Sequence, residues 1–122
     1  HVVVATPFLE RHPDLVKAFL RAHVEATTFV TTQSREAQAI ANREIARITT
    51  AAIPPAVLES SFRHIDFTYD PLAASVDVMA DHAFQLGFLG ASTPDLRGYY
   101  ALDPLNEVLR DNGLPPVGAL IV

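Results

Sequence analysis

Apolar positions recur at helical spacing along most of this chain. Over residues 13–30, Leu15, Phe19, Ala22, Ala26 and Phe29 fall three or four apart, while Lys17, Arg21 and Glu25 point elsewhere, which predicts a long amphipathic helix. Pro13 suits its first position and Asp14 its positive end. A second helix is predicted over 34–49, with Ser34 as N-cap. Ala37, Ile40, Ala41, Ile45 and Ile48 would form its buried stripe, and Arg35, Glu36, Asn42, Arg43 and Arg47 its wet face. Pro54-Pro55 then breaks the chain, and 56–62 reads as a short helix after the prolines. Asp70-Pro71 opens a third long helix to about Leu86, with Leu72, Val76, Met79 or Ala80, and Ala83 as its apolar stripe and Gly87 and Gly90 flanking its end. Asp103-Pro104 repeats the opening signal for a helix to Asn112, with Gly113 as cap and Pro115-Pro116 as stop.

Two stretches follow a different period. Val2-Val3-Val4-Ala5 is a β-branched run that suits a strand buried in a parallel sheet, ended by Pro7. Ile65 to Asp70 alternates apolar and polar, predicting a half-buried extended segment. Residues 95–101 read as a loop, and Gly118 to Val122 as a strand or unpaired tail. The inventory is lopsided: one short parallel strand is not stable alone, so either the fold is wholly helical or the sheet partners lie elsewhere.

Composition narrows the function classes. With 122 residues, 49% apolar and 19% charged, the chain fits one domain with one core. A formal charge of −5 argues against a nucleic-acid partner, which would require a basic face. The absence of cysteine removes disulfides, thiolate metal sites and a cysteine nucleophile together. No stretch approaches the roughly 20 apolar residues of a membrane-spanning helix. His1 stands where a methionine would start translation, so the chain is expected to begin inside a longer or processed product.

Candidate chemistry is sparse. His12, His23 and His82 lack the paired spacing and third ligand of a zinc site and read as surface or capping residues, so no metal or other cofactor is expected. Asp77 and Asp81 share a helical face and read as a solvated pair, not an acid–base pair. Thr27, Thr28, Thr31 and Thr32 could hydrogen-bond a small anion but read as the fraying end of a helix. Tyr99 and Tyr100 could stack on a ligand, or serve as loop anchors. Glycine-rich phosphate cradles and the nucleophile elbow are absent from the sequence, and an enzyme is not expected.

Three motifs in order resemble a known family. Phe8-Leu9-Glu10-Arg11-His12-Pro13-Asp14-Leu15-Val16-Lys17-Ala18-Phe19-Leu20-Arg21-Ala22, the entry Phe67-Thr68-Tyr69-Asp70-Pro71-Leu72, and Pro94-Asp95-Leu96-Arg97-Gly98-Tyr99-Tyr100 with Leu105-Asn106-Glu107-Val108-Leu109 are similar to nitrate/sulfonate/taurine-type solute-binding proteins of ABC importers. The resemblance covers nearly the whole chain but only the C-terminal segment of that family's longer proteins. It implies an α/β fold of the periplasmic-binding-protein-like type II kind. Residues 1–122 would be one mostly helical segment that completes the first lobe and carries a short buried strand at its start. It further implies a substrate-binding component outside the cytoplasmic membrane, periplasmic or at the cell surface. That component would capture a small solute such as a sulfonate, nitrate or taurine and deliver it to ABC permease subunits.

Most ligand contacts would then lie upstream. Ligands of α/β sheets sit beyond the carboxyl ends of strands, so Thr6, just past the opening strand, is the one candidate ligand-binding residue in this chain. Isolated from its sheet, the segment is expected to self-associate through orphaned apolar surface. Two other readings compete with this one: a periplasmic-binding-like domain of a biosynthetic enzyme or sensor, and a free-standing helical interaction domain.

Overall fold

The structure, a computed structural model, describes residues 1–92, 95–96 and 98–118. Helix makes up 63% of it, in six segments: α1 (Thr6–Arg11), α2 (Pro13–Thr32), α3 (Ser34–Thr49), α4 (Pro55–Phe62), α5 (Ala73–Gln85) and α6 (Asp103–Asp111). Among the described residues there is no strand. The expected α/β architecture with a buried opening strand is therefore corrected to an all-helical one. Residues 1–5 are extended without a ladder, and Val3 is 82% exposed. A strand exists through its partners, and none is present among the described residues to hold this one. The alternating segment 65–70 is likewise irregular. Ile65 and Phe67 are exposed, although the Phe67 ring does lean on Phe62 at 5.2 Å between centroids.

Residues His1–Arg21 and Asp70–Val122 form one compact unit. Its start holds an element the periodicity does not predict, α1, in which Pro7 occupies an early helical position. Proline ends a strand but also suits the first turn of a helix, where its missing N–H has no acceptor to lose. Buried side chains in this unit come from Val16 and Leu20 of α2, Ala73 of α5, and Leu105, Val108 and Leu109 of α6. Lys17 of α2 and Glu107 of α6 join these helices by an ion pair. The third long helix begins at Ala73, two residues after the expected Pro71, because Leu72 takes a left-handed φ of 50° that a helix cannot continue through. The Asp70 carboxylate accepts the Leu72 N–H at 2.8 Å and fixes that turn.

The helix ends follow from two glycines. At α6, Gly113 (φ 67°) donates to the Arg110 carbonyl at 3.0 Å and Leu114 to that of Leu109 at 2.9 Å. At α5, Gly87 (φ 80°) donates to Phe84 and Phe88 to Ala83, both at 2.9 Å. This doubled closure satisfies carbonyls that a helix end leaves open, and it requires a left-handed residue that glycine adopts without a Cβ clash.

Residues Ala22–Tyr69 form the second compact unit, comprising the later turns of α2 together with α3 and α4. Val24, Ala37 and Leu58 are its buried apolar side chains. Asn42 ties α3 to the connector before α4 through both backbone groups of Ile53.

On α2 the predicted face is displaced by one position. The buried row is Val16, Leu20 and Val24, whereas Leu15 and Phe19 stand 61% and 57% exposed and Ala22 and Ala26 are exposed as well. Both rows have helical spacing, so periodicity alone does not choose between them. On α3, Ala37 is buried and Ala41 and Ile45 are half-buried, but Ile48 is exposed. On α5, Val76, Ala80 and Ala83 are half-buried, while Leu72 and Met79 are exposed.

Candidate functional site

Thr6 is the first residue of α1 and is exposed. No strand precedes it, so the geometry that singled it out, a residue beyond the carboxyl end of a buried strand, is not realised. The six-residue α1 leaves it on a short surface turn.

The other sequence candidates are dispersed. His12 caps α1 and leans on Phe8, with ring centroids 4.9 Å apart. His1 Nε2 lies 2.8 Å from the Pro71 carbonyl, and His64 Nδ1 lies 2.7 Å from that of Ser60. Among the described residues no three His, Asp or Glu side chains gather into a metal-holding group. The Asp81 carboxylate accepts a hydrogen bond from Gln85 at 2.7 Å along the α5 surface. The threonine cluster turns inward: Thr27 donates to the His23 carbonyl at 2.9 Å, Thr31 to Thr27 and Thr28 at 3.0 Å each, and Thr32 to Thr28 at 2.7 Å. Those hydroxyl protons are engaged with helix carbonyls and do not face an anion.

Tyr99 and Tyr100 meet edge to face with centroids 5.5 Å apart. The Tyr100 hydroxyl oxygen is enclosed and has no hydrogen-bond partner among the described residues. Desolvation pushes its pKa up, and the carboxylate of Asp77 and the neighbouring Tyr99 add to that shift. A neutral phenol is therefore held there through the physiological range.

One concave feature went unpredicted. In the second unit, α3 and α4 enclose a solvent-open cleft of about 850 Å³. Arg35, Gln38, Ala39, Asn42, Arg43 and Ala46 recur every three or four residues down the α3 wall. Leu58, Glu59, Phe62 and Arg63 form the α4 wall. The sequence held a signal for this cleft: small alanines and arginines share one face of α3, so the expected wet face has room beside its charges. Arg43 and Arg47 both approach Glu44, at 3.8 and 2.7 Å, and Arg63 pairs with Glu59 at 3.2 Å. Arg35 has no carboxylate partner among the described residues.

Compared with known protein families, curated proteins and solved structures, the chain matches none.

Proposed function

We propose that this chain works as a helical part of the substrate-binding component of an ABC importer for a small solute such as a sulfonate, nitrate or taurine. The observation that carries the reading is the second apolar row of α2. Leu15 and Phe19 lie within the motif that resembles the solute-binding family, and both are more than half exposed although an adjacent row of the same helix is buried. Burying apolar surface stabilises by about 25 cal/mol per Å². A helix apolar on two sides therefore suits a segment that packs against further protein. Val2, Val3 and Phe8 near the start of the chain are exposed as well.

On this reading the side chains that select the solute lie mainly in other parts of the binding component. Permease subunits are the partners, and the site of action is extracytoplasmic. Uptake of labelled taurine, an alkanesulfonate and nitrate by cells carrying an in-frame deletion of residues 1–122 tests the reading. Loss of uptake of one of them supports it. Unchanged uptake of all three overturns it.

A free-standing helical interaction module is the rival, favoured by the strand-free, helical secondary structure of the described residues and by the complete burial of Val108 and Leu109 within the chain itself. It predicts a monomer with ordinary solubility.

A further inference from the structure

The geometry points to the α3–α4 cleft as a binding site for an amphipathic carboxylate, a slender apolar body carrying one carboxylate head. The site is independent of the importer reading, because every residue it uses lies in the second unit and none belongs to the motifs that resemble the solute-binding family.

Four properties of the cleft converge on that ligand. Its volume of about 850 Å³ falls within the range of small-molecule pockets. Half-buried Phe62 and small Ala39 and Ala46 line the cleft above buried Leu58, so an apolar body has both a surface to cover and room to lie in. The cleft's charge is set by guanidinium: Arg35, Arg43 and Arg63 line it against the single carboxylate of Glu59, which Arg63 already engages. Arginine offers donors and no acceptor, so the head that fits must be an acceptor and an anion. Arg35 is the group available for it, being the one arginine lining the cleft without a carboxylate partner among the described residues.

The cleft is also preformed. Asn42 uses its amide N–H and its carbonyl on Ile53, and the Gln38 amide donates to Ser34 at 3.2 Å. The Asn42 bonds fix the connector from which α4 departs, so the walls need no reordering to accept a ligand.

Equilibrium dialysis of the full chain against labelled decanoate tests the site, with decanol as the uncharged analogue of the same length. The expected result is saturable decanoate binding at one equivalent, with decanol competing poorly. Arg35→Ala should weaken decanoate binding about fivefold, the scale of one partly exposed charge-assisted contact. Ala46→Phe, which fills the cleft, should abolish it while circular dichroism stays unchanged. Arg110→Ala on α6 removes the same charge outside the cleft and should leave binding intact. Equal loss in Arg35→Ala and Arg110→Ala, equal competition by decanol, or full binding by a folded Ala46→Phe variant would each overturn the proposal.

Discussion

Asn42 holds Ile53 as a neighbouring strand would, donating from Nδ2 to its carbonyl at 2.9 Å and accepting its N–H at Oδ1 at 2.8 Å. The same device recurs eleven residues apart in the first unit, where Asn106 donates to the Val117 carbonyl at 3.0 Å and accepts its N–H at 2.8 Å. In each case a helix side chain satisfies a backbone that has left the helix and has no ladder to join. Asn is the residue whose amide offers both a donor and an acceptor at this reach.

Asn42→Ala and Asn106→Ala should each destabilise by about 1–3 kcal/mol, since each leaves a part-buried N–H and carbonyl unpaired. Urea unfolding followed by circular dichroism measures it. Asp at either position should recover less than half of the loss, because a carboxylate accepts but cannot donate.

Leu109→Ala should cost about 2–5 kcal/mol, the range for a core leucine replaced by a cavity. Leu109 is fully buried on α6 and sits where the doubled carbonyl closure ends that helix. Leu15→Ala on α2 removes an equal volume from an exposed site and should change stability by under about 0.5 kcal/mol. Thermal melts of the two variants side by side give the comparison.

The Lys17–Glu107 pair gives a pH dependence with a defined sign. Its hydrogen bond and charge attraction raise the lysine pKa above 10.5 and lower that of the glutamate below 4.5. A lowered carboxyl pKa contributes stability that is present above pH 4.5 and is lost as pH falls through the folded value. A raised ammonium pKa contributes stability that is present below pH 10.5 and is lost as pH rises through the folded value. Glu107→Gln should therefore melt slightly earlier than the parent at about pH 7 in low salt and converge with it in acid. Because both groups are solvent-accessible, molar salt should shrink the difference as well.

Light scattering at tens of micromolar should show association of the isolated chain, driven by the exposed Leu15 and Phe19. The double variant Leu15→Glu, Phe19→Glu should scatter as a monomer and lose binding of a hydrophobic dye with its helical spectrum intact. A parent that is already monomeric and dye-negative points instead to the free-standing module.

The helices are legible in the sequence because their signals are local. Pro55 and Pro104 sit in first turns, and Gly87 and Gly113 close α5 and α6 where the left-handed cap is needed. Ser34, expected as the N-cap of α3, is instead its first helical residue; Gln33 takes the cap position, and the Ser34 hydroxyl accepts from the Gln38 amide. The opening strand fails because Val2 to Ala5 carries β preference without the partner that turns preference into structure. The buried face of α2 is not legible because two apolar rows share one period, and only tertiary packing selects Val16, Leu20 and Val24. Of the arginine cleft only the α3 wall, with its alanines and arginines on one face, is legible locally; the other wall depends on α4 lying beside α3, a placement set by the Asn42–Ile53 clasp across eleven residues. The end of the chain, where a strand or tail is expected at 118–122, lies outside the described residues after Gly118.

One residue along an α-helix is a rotation of about 100°. The two apolar rows of α2 therefore look out in different directions from one helix. Damage to them should separate genetically. Lesions at Val16, Leu20 or Val24 would act as folding mutants, rescued by lower temperature or by stabilising second-site changes. Lesions at Leu15 or Phe19 would leave the chain folded and disturb only what it joins, so their suppressors should map to whatever surface meets that side.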